Sequence, residues 1–317
     1  MIAPPMTAQP VVQVERLVHD YGARRALRGV DFGVASGEIF ALLGPNGGGK
    51  TTVFRILSTL LRPTAGRAAV LGHDVAREAS RVRAGIGVVF QSPALDRKLT
   101  VRENLTTQGR LYGLRGAPLR ESIEEMLRRV RLVDRAEDRV EDLSGGLMRR
   151  AEIAKGLLHR PRLLLLDEPS TGLDPGARND LWEHLLDLRS RHGVTVLLTT
   201  HLMEEAERCD RIAILSQGTI VACGAPRALK AEIGGDVIAI ATPDPAGLRG
   251  DVERRFGAPV SVFGGTVRLE RPRGHELIPA LVDAFPGRID SITIGHPTLL
   301  DVFIHKTGHR FWGEEEA

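Results

Sequence analysis

Apolar residues occur in short continuous runs through the first part of the chain: EIFALLG (38–44), IGVVFQ (86–91), LLLLDEP (163–169), VTVLLTTH (194–201) and RIAIL (211–215). Such runs need cover on both faces, and most lead through small or polar residues into a helical pattern. They predict the buried strands of a largely parallel sheet. The stretch VVQVERLVHDYG at 11–22 alternates instead and predicts an antiparallel edge strand. No apolar run of this kind lies between Gln91 and Arg160. There Thr100 and Glu103 have the spacing of a capping box, and Ile123, Leu127 and Val130 share one face of a second helix. The expectation is an α/β domain carrying a helical insert at residues about 92–155.

After SQGTIVACGAP (216–226) the pattern changes, and Gly234-Gly235 predicts a boundary. Beyond it the order is strand (236–241), helix (245–256), strand (259–263), a Gly264-Gly265 turn, strand (266–270), helix (275–285), strand (288–294) and a terminal helix (298–305). This βαββαβ order predicts a small α+β, ferredoxin-like domain. It brings no chemical constellation together, which leaves a regulatory or dimer-stabilising role or a plain stability cap. The predicted division is a flexible tail at 1–10, a main domain at 11–230 and an accessory domain at 236–317.

Composition narrows the classes. With 317 residues, 42% of them hydrophobic, the chain can bury a sizeable core without staples. Cys209 and Cys223 are too few for a disulfide framework; core packing and a reducing cytosol are the expectation. The opening MIAPPMTAQP lacks a basic region followed by an apolar one, and no run approaches the roughly 18 apolar residues of a membrane span. A membrane role would be borrowed from a partner. The net charge of +3 comes from interspersed acids and bases with 4% aromatic residues, which argues against nucleic acid as a partner.

The chemistry begins at GPNGGGKTT: Gly44, Pro45, Asn46, Gly47, Gly48, Gly49, Lys50, Thr51 and Thr52. The segment fits G-x-x-x-x-G-K-[ST] between a strand and a helix, the context that a phosphate-binding loop requires. Glycines let backbone N–H groups wrap phosphate oxygens, and the helix turns its positive end toward the anion. Lys50 supplies charge to the β and γ phosphates, and Thr51 can ligate Mg²⁺. The strand LLLLDE then delivers Asp167, a candidate Mg²⁺ ligand directly or through water, and Glu168, a candidate general base for the attacking water. His201 ends another strand at the same sheet edge, where it can touch the γ phosphate and orient Glu168. Gln91 ends a third, placed to link a Mg²⁺ or water ligand to the insert.

Taken with Tyr21, LSGGLMRR, STGLD and His201 in this order and spacing, these motifs resemble the nucleotide-binding subunit of an ATP-binding-cassette (ABC) transporter over residues 11 to about 225. The resemblance implies ATP and Mg²⁺ as ligands, Tyr21 stacked on adenine, and Ser144, Gly145 and Gly146 closing over ATP held by a second subunit. It implies too that Ser170 to Asp174 communicates across that dimer interface. Two subunits, a homodimer in this reading, would drive a separate integral-membrane permease docked on residues about 92–140, from the cytoplasmic face of the cell membrane. The end HPTLLDVFIHKTG is similar to the extension of daunorubicin-resistance exporter ATPases, which points to export of a drug, antibiotic or other hydrophobic compound. Leu147 departs from the family's glutamine and falls on one helical face with Ala151, Ala154 and Leu158, so it is expected as the first rung of a buried stripe. A soluble cassette ATPase acting on ribosomes or DNA is the alternative; a second cassette or a long coiled coil would mark it, and neither occurs. A regulatory module with negligible turnover is a third reading, opposed by the intact Glu168 and His201.

Overall fold

The computed structural model describes residues 10–308 and Phe311, so that of the tail expected at 1–10 only Pro10 falls within the described residues. Two compact units divide between Ile220 and Val221.

The chain opens with β1 (Val12–Tyr21) and β2 (Arg24–Val34), followed by β3 (Ile39–Leu43), α1 (Lys50–Leu57), β4 (Ala65–Val70) and β5 (His73–Asp74). Next come α2 (Ala79–Gly85), β6 (Ile86–Val89) and three helices of the insert, α3 (Val101–Leu111), α4 (Gly116–Arg129) and α5 (Gly145–Leu157). β7 (Leu163–Asp167), α6 (Pro175–His192), β8 (Thr195–Thr200), the single turn α7 (Met203–Ala206), β9 (Arg211–Ser216) and β10 (Thr219–Gly224) follow.

The apolar runs assemble into one six-stranded sheet of order β10-β9-β3-β8-β7-β6. β3 lies parallel to β8 and β9, and β7 parallel to β6 and β8. All five residues of β3 and of β7 are buried, as continuous apolar runs require.

β1 is not an edge strand. It lies between β2 and β4, antiparallel to both, in a separate sheet of order β2-β1-β4-β5. Alternation reports which side chains are buried, whereas edge position depends on hydrogen-bond partners elsewhere in the chain. Val12, Val14 and Leu17 of β1 join Leu27, Val30 and Phe32 of β2 and Phe54 of α1 in one core. Fully burying such a side chain contributes roughly 1.5–3 kcal/mol, so this core fixes α1, and with it the phosphate loop, between the two sheets.

The insert is helical throughout its long elements. The Thr100 hydroxyl accepts from the Glu103 amide at 3.1 Å, and the Glu103 carboxylate accepts from the Thr100 amide at 2.8 Å. α4 buries Leu119, Ile123, Met126 and Leu127, and Ser122 Oγ donates to the Leu158 carbonyl at 2.7 Å, tying α4 to the end of α5.

The second unit contains α8 (Pro226–Ala231), β11 (Asp236–Ala241), α9 (Pro245–Phe256), β12 (Val260–Phe263), β13 (Thr266–Arg271), α10 (Ile278–Ala284), β14 (Ser291–Gly295) and α11 (Leu299–Thr307). Its sheet has the order β12-β13-β11-β14 with each pair antiparallel, the strand arrangement of a ferredoxin-like split βαβ. Ile238, Ile240, Leu248, Val252, Leu269 and Leu281 form its own core. The compact units part ahead of Gly234-Gly235, because α8 goes with this second body: Glu232, just after α8, pairs with Lys306 at 2.6 Å.

Candidate active site

Four strands of the six-stranded sheet, β3, β6, β7 and β8, end near one another, and in open α/β sheets ligands sit at such carboxyl ends. The loop after β3 turns into α1 through Gly47 (φ 74°) and Gly49 (φ 109°), a backbone that residues with a Cβ rarely adopt. Gly44 is required by space: a Cβ there would lie 2.2 Å from the Leu215 carbonyl oxygen. Lys50 opens α1 and is buried, its Nζ donating to the carbonyls of Gly44 at 2.8 Å and Pro45 at 3.0 Å. Burial pushes its pKa down, and the neighbouring carboxylates of Glu168 and Asp167 act against that shift.

Beside this loop is a cavity of about 450 Å³ whose lining includes Tyr21, Arg24, Asn46, Gly47, Gly49, Lys50, Thr51, Thr52, Gln91 and Glu168. Its size is in the usual range of about 300–1,000 Å³ for small-molecule sites. A desolvated ammonium, a glycine cradle and a helix N-terminus together fit the phosphates of a nucleotide. Tyr21 is 43% exposed at its rim and meets His19 edge to face at 4.6 Å. The sequence pattern gave no reason to single out Arg24 or Arg55, which also lines the cavity.

Glu168 follows β7 with φ 43°, a conformation that costs a non-glycine residue on the order of 1–3 kcal/mol. Its carboxylate lies 3.5 Å from Lys50 Nζ and 3.2 Å from His201 Nδ1. It also accepts from Gln91 Nε2 at 3.4 Å and from Thr171 Oγ1 at 3.3 Å. Thus Glu168, Gln91, His201 and Lys50, chosen from separate stretches of sequence, meet at one carboxylate. Asp167 is buried beside it and accepts from Thr199 Oγ1 at 2.6 Å; burial pushes its carboxyl pKa up, opposed by that hydrogen bond. The Glu168 amide in turn donates to Thr199 Oγ1 at 3.0 Å. One buried hydroxyl therefore orients both acids.

Thr199 was not among the residues expected from sequence, nor was Glu205. Glu205 is 1% exposed, and accepts from Thr200 Oγ1 at 2.6 Å and from Ser170 Oγ. It joins the start of STGLD to the end of β8 just before His201.

Oxygen-rich groups suit Mg²⁺, which keeps several waters and takes one or two carboxylates plus substrate phosphates. Of the expected ligands Thr51 and Gln91 line the cavity, whereas Asp167 is buried beside Glu168 and does not line it, and no cluster of three or more His, Cys, Asp or Glu suited to a metal occurs among the described residues.

Ser144, Gly145, Gly146 and Asp174 are not among the residues that line the Lys50 cavity. Ser144 caps α5, its hydroxyl accepting from the Leu147 amide at 3.4 Å, and Ser144 and Gly145 are exposed. A Cβ on Gly146 would lie 2.9 Å from that of Ala177 on α6, so this glycine permits close helix packing. Asp174 caps α6, accepting from the Ala177 amide at 2.9 Å. Leu147 is half-buried, whereas Ala151, Ala154 and Leu158 are fully covered. The expected stripe thus loses its cover at its first rung, where the helix starts at the surface. Cys209 is buried in the core and Cys223 is exposed, with no disulfide between them. No helix among the described residues is long and apolar enough to cross a membrane.

The family model described as ABC transporter matches residues 27–171. The Nod factor export ATP-binding protein I of Paraburkholderia xenovorans is 42% identical over 309 residues, covering 95% of this chain and 98% of that protein. The daunorubicin/doxorubicin resistance ATP-binding protein DrrA of Streptomyces peucetius is 38% identical over 315 residues, covering 96% and 95%. Among solved structures, cbiO1 of Clostridium perfringens, part of the ABC transporter complex cbiONQ, superimposes with a TM-score of 0.67 at 26% identity over 79% of this chain and 97% of that one. A dimeric ATP-binding cassette in a post-hydrolysis state with ADP and Pi gives 0.60 at 28% identity, over 68% and 98%. With the cassette fold, the phosphate loop and these relatives together, the chain belongs to the ATP-binding subunits of ABC transporters and is an ATPase coupled to transport.

Proposed function

We propose that two copies of this chain close on two ATP molecules and that closure drives a separate membrane permease in export of a hydrophobic compound. Each ATP is held by the phosphate loop of one copy and by Ser144, Gly145 and Gly146 of the other, with Asp174 near that seam. The exposed helix start at Ser144 and Gly145, outside the chain's own Lys50 cavity, supports this reading. Amide groups at such a start have no partner within the helix and suit a phosphate. Tyr21 stacks on the adenine.

The single observation that carries the hydrolytic role is the convergence of Lys50, Gln91, Thr171 and His201 on the Glu168 carboxylate. Glu168 takes the proton of the attacking water, and His201 orients that carboxylate toward the γ phosphate. Thr51, Asp167 and Gln91 would hold Mg²⁺, which would neutralise charge on the phosphates. In Glu168→Gln, phosphate release should fall by about a hundredfold or more while an ATP-bound dimer accumulates in size-exclusion chromatography. Wild-type turnover in that variant refutes the base assignment.

The permease docks on the insert next to Gln91. A cavity of about 280 Å³ there is lined by Leu60, Phe90, Ala94, Tyr112, Lys155 and His159, and Leu60 and Leu111 stand 62% and 79% exposed. Exposed apolar side chains around a concavity are what a partner helix covers. Relatives named for Nod factor export and for daunorubicin resistance support export as the direction, with a drug, antibiotic or other hydrophobic compound as cargo. The subunit then works at the cytoplasmic face of the cell membrane, held by the permease.

A further inference from the structure

Arg149 on α5 is 6% exposed and does not line the nucleotide cavity, yet its guanidinium joins three segments. Nε donates to the Pro169 carbonyl at 2.7 Å, Nη1 to the Phe90 carbonyl at 2.7 Å, and Nη2 to the Glu168 carbonyl at 3.4 Å. Nη1 also pairs with Glu152 Oε2 at 2.8 Å, one helical turn on. The second Glu152 oxygen accepts from the Ala94 amide at 2.6 Å, and Lys155 Nζ donates to the Ala94 carbonyl at 2.5 Å.

A buried ion pair is weak evidence for stability, since desolvation offsets most of its attraction. Here burial pushes the Arg149 pKa down and the Glu152 pKa up, and each group holds the other charged. What the arginine adds is geometry. Its planar fork reaches the carbonyls of Phe90, just before Gln91, of Pro169 and of Glu168, the last of which also accepts from the Thr171 amide at 3.2 Å. Glu168 sits at φ 43°, and a strained backbone persists only where its surroundings over-determine it. Thr199 holds the amide side of that residue, and the Thr171 amide and Arg149 together hold the carbonyl side.

We infer that Arg149 is a positioning residue for hydrolysis: through its bonds to the Phe90, Glu168 and Pro169 carbonyls it sets the pose of the Glu168 carboxylate and the approach of Gln91. This rests on the reading of Glu168 as general base. Because Arg149 rides on the helix that starts at Ser144, a tilt of α5 moves base and glutamine together.

The test uses the full chain. Replacing both partners, Arg149→Met with Glu152→Met, avoids leaving a lone buried charge, and Arg149→Lys keeps the charge without the fork. In the paired variant ATP affinity and KM should stay near wild type while kcat falls on the order of tenfold to a hundredfold, the cost of a small misplacement; the melting temperature drops as well, because the Ala94 amide and the Phe90 and Pro169 carbonyls lose their partners. Arg149→Lys should recover part of kcat at an unchanged KM. A paired variant with wild-type kcat overturns the inference, as does a loss in which ATP affinity falls in step with kcat. Should the paired variant not fold, Arg149→Lys decides: kcat reduced at wild-type KM supports the role, and wild-type kcat overturns it. Glu168→Gln separates the two claims. If it turns over normally the base reading falls; if it is inactive while the Arg149 variants run at wild-type rate, only the positioning role falls.

Discussion

Thr199→Val removes one oxygen from the centre of the site while keeping shape. Thr199 is 0% exposed, and its Oγ1 both receives the Glu168 amide at 3.0 Å and donates to Asp167 Oδ1 at 2.6 Å. Valine fills the space but leaves the buried amide without a partner, at about 1–3 kcal/mol, and removes a hydrogen bond to a carboxylate, at about 1.5–3 kcal/mol. Some relaxation is certain, so a loss of roughly 2–4 kcal/mol is expected, and for a domain of this size each kcal/mol lowers the melting temperature by about 2–4 °C.

The effect on rate follows from the backbone of Glu168. Without the hydroxyl, the amide side of a residue at φ 43° is no longer fixed, and the carboxylate is free to leave His201 and Gln91. A misplacement of about 1 Å costs on the order of a hundredfold in rate. Scanning calorimetry of the nucleotide-free chain and steady-state phosphate release measure the two effects. Thr199→Ser, which restores the oxygen, should recover most of both. A melting temperature within about 2 °C of wild type, which is less than about 1 kcal/mol by the same scale, would refute the bridging role, and so would an unchanged kcat.

Gly44→Ala places a Cβ 2.2 Å from the Leu215 carbonyl oxygen, so the loop must move; ATP affinity measured by equilibrium dialysis should drop at least about tenfold, or 1.4 kcal/mol. Leu147→Gln changes a half-buried rung at a helix start, so ATP affinity by the same method should stay within about twofold, under about 0.5 kcal/mol, and a large drop would show that the apolar rung is needed for the fold. His184 has its pKa pushed down to about 4, chiefly by burial and next by Arg150. The unfolded chain then binds its proton first, so stability is full above the usual value of about 6.5 and declines as pH falls toward about 4, by up to roughly 3 kcal/mol. Urea unfolding of His184→Leu between pH 7 and 5 should show a flatter decline than wild type.

The sequence made the phosphate loop readable because that motif is local: cradle, lysine and helix start lie within nine consecutive residues, Gly44 to Thr52. The parallel strands were readable for the same reason, as were the alternating elements of the second unit. β2 was not. Its inward residues Leu27, Val30, Phe32 and Val34 are interrupted by Arg28, Gly29, Asp31 and Gly33, and a register shift in its pairing with β1 blurs the period. Thr199, Glu205 and Arg149 escaped for another reason. Residue type announces a hydroxyl, a carboxylate or a guanidinium, but their partners lie far along the chain, at Asp167, Ser170 and Phe90, and only packing brings them within reach.

Those three residues also explain how a site assembled from strand ends acts as one unit. Glu168 is reached from β8 through Thr199, from α5 through Arg149, and from the strand end after β6 through Gln91. Glu205 ties Ser170, two residues beyond Glu168, to Thr200, next to His201. Glu168 and the residues next to Gln91 and His201 are therefore held by buried side chains on other elements. Contacts run from the start of α5 to Glu168 along the helix and Arg149, and from STGLD to the residue before His201 through Ser170, Glu205 and Thr200. Both starting points are surface-facing helix caps, at Ser144 and Asp174. Two runs of polar contacts thus lead from these caps to the same acid, and a coupling of cap to acid needs an element whose equilibrium both ends bias.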